Sequence, residues 1–152
     1  MDDKELFEHW DQVRTGLNRA LDQLRDEQLA FTPREGLWSL GQVACHIAGC
    51  EEGWLRDLCF GRWSRPEADY KLQDYPTVAA LKQLLAEVHA RTAAELATAP
   101  ELTGRLDQPA TLPWGPTVSW RWAVWHVLEH EIHHRGEIYL MLGLLGMEAP
   151  DV

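Results

Sequence analysis

Clusters of proline and glycine divide this chain of 152 residues into four long stretches, and apolar residues recur every three or four positions in each. This period places the apolar side chains on one face of an α-helix, so each stretch is expected to pack as an amphipathic helix. The predicted helices extend from Lys4 to Leu29, from Ser39 to about Gly61, from Thr77 to about Thr98 and from Ser119 to about Leu145. The sequence therefore predicts an all-α fold, a four-helix bundle that forms a single domain over residues 1–152.

Two long connections join the second helix to the third and the third helix to the fourth. Residues 62–76 hold two prolines and are expected to be a loop, and residues 99–118 hold four prolines and two glycines. A short hairpin around Trp114-Gly115 fits the second connection. Connections of this length are compatible with a crossover in the bundle as well as with a simple meander, and long loops are often functional.

The composition excludes several classes of partner. A net charge of −10 repels phosphate backbones, which disfavours a nucleic-acid-binding role. No apolar run approaches the length of a membrane span, and the acidic N-terminus does not resemble a signal peptide. An odd number of cysteines, three in all, argues against a disulfide framework and suits a reducing compartment. A cytoplasmic protein without a nucleic-acid or membrane partner is the expectation.

The predicted fourth helix contains four of the seven histidines within nine residues. His126, His130 and His134 are spaced by four residues, so their imidazoles lie along one helix face. Two imidazoles one turn apart can bind a single metal ion, because this spacing sets their nitrogens a few ångströms apart. A third ligand must come from another element, and His46 in the second helix is the expected donor.

Spacing alone leaves other ligand sets open. His126 and His130 are also four residues apart, so His126 is a rival to His134. Cys50 lies one turn beyond His46 and offers a thiolate, although cysteine is also an ordinary buried residue, which is the favoured interpretation. Glu51 is a weaker candidate for a residue that supports a ligand. No ligand role is expected for His9, His89, Cys45 and Cys59.

The segment from His130 to His134 also fits the H-E-x-x-H pattern of zinc peptidases, in which Glu131 would be the general base. The motif is short, and a histidine-rich helix produces it easily by chance. Only 18 residues follow His134, and no strand pattern precedes it that would form a substrate-binding sheet edge. A peptidase is therefore a minor alternative.

Two blocks of the sequence resemble the DinB/YfiT-like superfamily of small bacterial four-helix-bundle proteins. Residues 38–46, WSLGQVACH, are similar to the family pattern W-S-x-x-Q-x-x-x-H at the start of its second helix. Residues 126–137, HVLEHEIHHRGE, are similar to H-x-x-N-H-x-x-x-H-R-G-Q. The spacing between the blocks and the total length also agree, so the resemblance covers essentially the whole chain.

The resemblance implies a divalent metal, zinc or nickel, held by His46, His130 and His134, with His126 one turn outside this triad. The chain departs from the family pattern at Glu129, where asparagine is common, and at Glu137, where glutamine is common. Both changes add negative charge near the site and leave the three ligands untouched.

Helical spacing places several titratable side chains near the expected metal. His126, His133 and Glu137 are the candidate catalytic groups, because each is close enough along the helix to move protons near the ligands. Glu131 is a further candidate on the same grounds.

Three neutral histidines leave the full charge of a divalent ion in place, so a bound thiol or water loses its proton near neutral pH. The resemblance favours an S-transferase that uses a low-molecular-weight thiol as cosubstrate for a small-molecule substrate. A metal-dependent hydrolase or amidase is the first alternative, and a non-enzymatic metal-binding stress or structural protein is the second. Relatives often dimerise, so a homodimer is expected.

Tryptophan is unusually abundant, with eight residues. Trp10 and Trp54 lie on predicted apolar helix faces, and core packing accounts for them. Five others lie at the starts of the second and fourth helices, so we expect them to cluster near one end of the bundle and in part to wall the metal pocket. These five are Trp38, Trp114, Trp120, Trp122 and Trp125.

Overall fold

The structure is a computed structural model that describes residues 3–59, 70–98, 106–111 and 115–151. Within this part of the chain it is mostly helical, which confirms the predicted fold class. The long helices are α1 (Asp3–Leu21), α2 (Leu40–Glu51), α3 (Val78–Thr98) and α4 (Trp120–Leu144). In the described residues, no helix is both long enough and apolar enough to span a membrane.

Shorter elements lie between the long helices. Two 3₁₀ segments span Asp26–Ala30 and Leu72–Asp74. A small antiparallel hairpin precedes α4, formed by β1 (Pro109–Thr111) and β2 (Thr117–Ser119). This hairpin encloses Gly115, as the sequence indicated, and residues 112–114 lie outside the described residues.

The first helix is shorter than predicted, ending at Leu21 rather than Leu29. The N–H of Leu24 bonds only three residues back, which tightens and closes the helix. Asp26 then opens a 3₁₀ segment, and its carboxylate accepts the N–H of Val78 at 2.8 Å, at the start of α3. Leu24 and Leu29 are buried all the same. The apolar period therefore continues past the point where the helix stops.

The second helix also departs from the prediction, because its α-helical part ends at Glu51 and a π-helix continues from Glu52 to Cys59. The wider π turn shifts the phase of the side chains relative to a continuous α-helix. As a result Leu55 is buried, whereas Trp54, expected in the core, is only half-buried and contacts side chains of α4.

The starts of α2 and α4, the two helices that carry the site, are both capped. Ser39 Oγ accepts the N–H of Gln42, and the Gln42 side chain accepts the N–H of Ser39, which forms a capping box. Ser119 Oγ caps α4 by accepting the N–H of Trp122. At the far end of α4, Gly146 adopts a φ of +77°, which lets the chain turn sharply out of the helix.

Pairs of contacting residues give the directions of the helices. α1 runs parallel to α4, α2 runs antiparallel to α4, and α3 runs antiparallel to α1. The pairs are Trp10 with Glu131 and Gly16 with Tyr139, His46 with His134 and Trp54 with Trp122, and Asp11 with His89 and Asp22 with Lys82. The order is up, down, down, up, so the connection from α2 to α3 crosses back along the bundle. This is the crossover arrangement, one of the two that the long connections allowed.

The core consists of two apolar clusters with charged side chains between them. The larger cluster includes Leu17 and Ile138, and the smaller includes Trp10, Leu55 and Leu128. Between the clusters lie four polar side chains, one from each helix, which we call the charged layer. Its members are Arg14, Glu51, His89 and Glu131.

Candidate metal centre

Three imidazoles from two helices converge on one point. His130 Nε2 lies 3.0 Å from His46 Nε2 and 3.1 Å from His134 Nε2, and all three donor atoms lie within 4.8 Å of one another. The structure thus brings together the three histidines that the sequence singled out as metal ligands. We call them the three-His cluster.

The local fold explains this convergence. His130 and His134 are one turn apart on α4, so their rings lie on the same helix face. The capping box starts α2 at a fixed residue, and α2 packs antiparallel against α4, which sets His46 opposite the pair. Ring centroids in the cluster are 4.3 to 4.8 Å apart.

The donor set fits a divalent cation. Each imidazole Nε2 carries either one lone pair or one N–H, so His130 Nε2 cannot form a good hydrogen bond to both neighbours at once. A metal ion can bind all three lone pairs, and the ligand nitrogens of a tetrahedral zinc site lie roughly 3.3 Å apart for Zn–N bonds of about 2.05 Å. The two separations measured from His130 Nε2 are close to that value, and all three nitrogens lie within 4.8 Å of one another. The cluster could therefore hold a divalent cation.

Glu137 holds His134 from the side opposite the cluster. Its Oε2 lies 2.7 Å from His134 Nδ1, and its Oε1 lies 3.4 Å from Nε2 of the exposed His133. A carboxylate on Nδ1 keeps the proton on that nitrogen and leaves the Nε2 lone pair for a metal.

The environment of His130 keeps this imidazole neutral. Burial, together with the charges of His134, His46 and the other nearby imidazoles, lowers the pKa of His130 to about 3. A metal ligand must be unprotonated, so His130 is in its ligand form across the physiological pH range.

Trp38 lies against one side of the three-His cluster. Its ring centroid is 4.5 Å from that of His46 and 6.2 Å from that of His134. The indole is 48% exposed, so it borders the cluster without closing it off from solvent.

His126 stands outside the cluster, within a stack of aromatic rings. The Trp122 indole lies parallel to its imidazole at 4.9 Å, with 4° between the planes, and Trp54 meets it edge-on at 4.7 Å. The centroid of His126 is 6.4 Å from that of His130. Among the described residues, the group of donors around His130 does not include His126, so the rival assignment finds no support in the geometry.

The expectation of one tryptophan cluster at one end of the bundle is wrong. α2 and α4 run antiparallel, so the start of α2 and the start of α4 lie at opposite ends of the region that holds the three-His cluster. Trp38 therefore borders it on one side, while Trp122 and Trp54 border His126 on the other. Trp114 lies outside the described residues.

Glu131 does not face the three-His cluster, which removes the zinc-peptidase interpretation. Nε and Nη2 of Arg14 lie 2.8 Å from the two oxygens of its carboxylate, and Trp10 Nε1 donates a hydrogen bond of 2.7 Å to Oε2. The side chain is 1% exposed. Because Glu131 is one residue from His130, it projects from a different helix face, into the charged layer, and is not placed to act as a base at the metal.

Glu51 likewise belongs to the charged layer and does not support His46. Its Oε2 accepts a hydrogen bond of 2.6 Å from Arg14 Nη2, and its Oε1 lies 3.0 Å from His89 Nδ1. Burial raises the pKa of Glu51, but the hydrogen bond to His89 and the charge of Arg14 outweigh burial, so the pKa is lowered overall. Glu51 is therefore a buried carboxylate stabilised by two basic partners.

The sequence predicts no ligand role for His89 and does not predict its place in the charged layer, which only the structure reveals. Its imidazole bridges buried Glu51 and exposed Asp11, with Nε2 3.3 Å from Asp11 Oδ1, and packs edge-on against Trp10 at 4.9 Å. The available signal was the break in the apolar pattern at Arg14 and Glu51, because charged residues on a buried helix face need partners.

Comparison with known proteins identifies the family. A model of the DinB family matches residues 1–152. The chain belongs to the DinB family. Comparison with curated proteins finds no match.

Solved structures of similar fold agree with this family. A DinB-like protein from Bacillus cereus ATCC 10987 has a TM-score of 0.80 at 20% identity, covering 99% of this chain and 97% of that one. YfiT from Bacillus subtilis, described as a probable metal-dependent hydrolase with an unusual four-helix bundle topology, has a TM-score of 0.70 at 20% identity, covering 97% and 91%. A mycothiol-dependent maleylpyruvate isomerase has a TM-score of 0.67 at 13% identity, covering 91% of this chain and 61% of that one. At these identities the likeness shows the fold.

The two departures of this DinB-family protein from the family pattern have different surroundings. Glu137 contacts a member of the three-His cluster directly, as described above. Glu129 is 68% exposed, and its nearest oxygen lies 4.0 Å from His126 Nδ1. Only the substitution at Glu137 therefore bears directly on a candidate ligand.

The cysteines of this DinB-family protein are not among the metal donors found in the described residues. Cys45 and Cys50 are buried and form no disulfide. Burial, with a smaller effect from Asp74, raises the pKa of Cys45 to about 11, so its thiol stays protonated. The side chain of Cys59 lies outside the described residues.

Proposed function

We propose that this DinB-family protein is a divalent-metal-dependent enzyme in which His46, His130 and His134 bind zinc or nickel. The convergence of the three Nε2 atoms supports this proposal. In the described residues, the donor group around His130 has three members. Structural zinc sites are usually closed by four protein ligands, whereas catalytic sites use three and leave a position open.

We further propose that the enzyme is of the thiol S-transferase type, with a low-molecular-weight thiol as cosubstrate. A divalent ion at this site would lower the pKa of a bound thiol or water and so supply a nucleophile near neutral pH. The similar mycothiol-dependent isomerase favours the thiol. The similar YfiT protein, described as a probable metal-dependent hydrolase, favours water and makes a hydrolase the second candidate.

The chain's own residues would orient the ligands and bind the substrate. Glu137 holds the Nδ1 proton of His134 and thereby fixes the direction of its Nε2 lone pair. Trp38 covers one side of His46 and limits the approach of water from that side. His133 contacts the second oxygen of Glu137 and is 66% exposed, so this pair would exchange protons with solvent.

His126 is assigned the acid-base role. It is the imidazole next to His130 on the same helix face and outside the donor set. Trp122 and Trp54 hold its ring in place from two sides. Because Nδ1 is on the side of Glu129, Nε2 is the nitrogen left to take or give a proton toward the substrate.

The metal assignment is tested by measuring metal content in two variants of one helix. We expect His130→Ala to lose bound zinc or nickel, because the central member of the cluster is removed. His126→Ala is the matched control and should keep a stoichiometric amount, measured by elemental analysis after dialysis. A stoichiometric metal content in His130→Ala would overturn the ligand set.

The activity is tested by reconstituting metal-free protein with zinc or nickel and adding a small thiol with a reactive electrophile. Thiol consumption that depends on the metal supports the S-transferase. Metal-dependent hydrolysis of an ester or amide without a thiol requirement supports the hydrolase instead. A rise in melting temperature with neither activity, across both metals and a panel of thiols, would contradict an enzymatic role.

The role of His126 is tested in the same assay. We expect His126→Ala to keep its metal but to lose most of its turnover, since general acid-base catalysis contributes roughly a hundredfold or more. His126→Gln, which retains polarity without a titratable ring, should behave similarly and lose the corresponding limb of the pH profile. Full activity with an unchanged pH profile in both variants would refute the assignment.

A further inference from the structure

A cavity of about 310 Å³ lies beside the start of α4, away from the three-His cluster. This volume is at the lower end of the range for small-molecule sites, which is roughly 300 to 1,000 Å³. Leu6 of α1 forms its buried side, and the first residues of α4 form the rest. The lining residues are Leu6, Ser119, Arg121, Trp122 and Trp125.

Two indoles give the cavity its apolar walls. Trp122 and Trp125 are each 42% exposed, so large flat surfaces remain open to solvent at one place on the protein. Indoles bind planar groups by stacking as well as by burying apolar area. The cavity is thus suited to a flat aromatic or conjugated group.

The remaining polar side chains of the lining favour an anion over a cation. Among the lining residues that the structure describes, Arg121 has the charged side chain, and its Nε donates a hydrogen bond of 2.9 Å to Asp107 Oδ1. A guanidinium has five N–H donors, so one arginine can serve a second carboxylate or a sulfonate beside its first. A cationic ligand would meet like charge at this position.

Trp122 links the cavity to the proposed metal site, because the same indole lines the cavity and stacks on His126. Two ring-to-ring steps, of 4.9 Å from Trp122 to His126 and 6.4 Å from His126 to His130, lead from the cavity wall to the three-His cluster. A group in the cavity therefore does not reach the metal ligands. It would belong to a part of a molecule remote from the reacting atoms, where binding energy contributes to positioning.

We propose that this cavity binds the planar aromatic part of a small anionic molecule, with the ring against Trp122 and Trp125 and the anionic group at Arg121. Binding of this molecule in the cavity does not require the metal. That the bound ring is part of the substrate of the three-His cluster rests on the proposed function.

The test uses two dyes of the same shape and different charge on metal-free protein. 1-Anilinonaphthalene-8-sulfonate has a flat naphthalene ring and an anionic sulfonate, and N-phenyl-1-naphthylamine is its uncharged counterpart. We expect both to bind, with Trp125→Ala weakening both by about tenfold through loss of stacking and buried area. Leu140→Ala, which removes an apolar side chain that is 64% exposed farther along α4, is the matched control and should not change either affinity.

Arg121 is tested by the difference between the dyes. Arg121→Gln should weaken the sulfonate several-fold and leave the uncharged dye unchanged. Equal effects on both dyes would overturn the anion assignment. Unchanged affinities in Trp125→Ala, or an equal loss in Leu140→Ala, would overturn the cavity as the site.

A second measurement locates the dye directly. Protein labelled with 5-fluorotryptophan gives a separate ¹⁹F signal for each indole, assigned by single Trp→Phe variants. Dye addition should shift the signals of Trp122 and Trp125 and leave that of buried Trp10 in place. Shifts confined to other tryptophans would refute the proposal.

Failure of this inference is distinguishable from failure of the metal site. His130→Ala should bind both dyes as the unmodified protein does, and Trp125→Ala should bind zinc as the unmodified protein does. No dye binding with normal metal content would overturn the cavity proposal alone. Dye binding without stoichiometric metal would overturn only the proposed enzyme.

Discussion

The charged layer and the three-His cluster both connect α2 to α4, yet they are built on opposite principles. The charged layer combines opposite charges, since Arg14 contacts both Glu51 and Glu131, and these three side chains are almost completely buried. The three-His cluster combines like groups, three imidazole nitrogens that face one another, two of them on half-buried side chains. The charged layer pairs its opposite charges within the chain, whereas the three-His cluster is arranged so that it could hold a cation.

This difference separates polar contacts suited to folding from contacts suited to the proposed metal binding. Buried charges are tolerated when partners on other helices offset them, and Arg14 lies between the two buried carboxylates of the charged layer. The central imidazole of the three-His cluster cannot form good hydrogen bonds to both neighbours at once, so the cluster is less well satisfied without a ligand. The two sets lie on different faces of the same helices, as adjacent His130 and Glu131 illustrate.

His89 balances the charge of the layer. Arg14 alone would leave one of the two carboxylates without a counter-charge, and a protonated His89 beside Glu51 supplies it. Burial lowers the pKa of His89, but the hydrogen bond and charge of Glu51 outweigh burial and raise it overall. With His89 protonated, the layer has one charged group from each helix and is electrically balanced.

The largest effect is expected when the charged layer is broken at its centre. Arg14→Met removes the cation shared by Glu51 and Glu131 and leaves two buried carboxylates. We expect a loss of about 3 to 5 kcal/mol in the free energy of unfolding, as for other buried pairs deprived of one partner. Urea denaturation of the metal-free protein measures this loss.

A double variant separates the charge from the packing of this arginine. Arg14→Met combined with Glu131→Gln removes one of the stranded charges, and should recover part of the stability that Arg14→Met loses. His130→Ala, from the three-His cluster, should leave the metal-free protein about as stable as before. If Arg14→Met lowers the free energy of unfolding no more than His130→Ala does, the proposed contrast between the charged layer and the three-His cluster is wrong.

The three-His cluster was predictable because its information is local. Two ligands lie one turn apart on a single helix, and the third lies at a fixed distance from a capping box, so spacing and the family pattern sufficed. The charged layer depends on which helix faces meet, and an up-down-down-up order cannot be read from helical periods. For the same reason Glu131 fits a peptidase motif in the sequence but points into the core in the structure.

The end of the first helix and the surroundings of Trp54 were predicted wrongly for related reasons. The helix α1 ends at Leu21, but Leu24 and Leu29 are still buried, although the segments that carry them are not part of the α-helix. The apolar period therefore continues beyond the helix and gives the wrong end point. The π-helix after Glu51 changes the face on which Trp54 lies. The four-helix fold, in contrast, follows from the helical periods and their separation by proline and glycine.

The second prediction concerns the stabilising effect of the metal on the cluster. At a free zinc concentration about 100 times its Kd, we expect a gain of about 2.7 kcal/mol in the free energy of unfolding, because zinc binds only the folded ligand set. His130→Ala should show no gain, whereas His126→Ala should show most of it. An equal gain in His130→Ala would mean that zinc binds elsewhere.

The third prediction tests the carboxylate that contacts the cluster from outside. Glu137→Ala removes the partner of His134 Nδ1, and we expect metal affinity to fall about tenfold, the lower end of the effect of such partners. Glu137→Gln retains a hydrogen-bond acceptor without the charge and should lose less. Competition with a chelator of known affinity measures both variants. Affinity unchanged in Glu137→Ala would show that His134 is oriented by packing alone.

The smallest effect on the free energy of unfolding is expected when His89 is replaced, and its pH dependence distinguishes it from the other effects. The pKa of His89 is raised in the folded state, so its stabilising effect is complete below the unfolded pKa of about 6.5 and is lost as pH rises through the folded value. Asp11 and Glu51 face this imidazole, and Arg14 opposes its charge. His89→Gln keeps a hydrogen bond to Glu51 without the charge.

We therefore expect the unmodified protein to exceed His89→Gln by about 1 kcal/mol in free energy of unfolding near pH 5.5, a value typical of a hydrogen bond to a charged group that is only partly lost. The gap should close as pH rises through the raised folded-state pKa of His89, because the imidazole is then neutral in the folded state as well. Urea denaturation of the metal-free proteins at a series of pH values measures this gap, and the titration of the three-His cluster is common to both proteins and cancels in the difference. A gap that widens with rising pH would show that His89 acts in its neutral form, and the charged layer would then carry an unbalanced carboxylate.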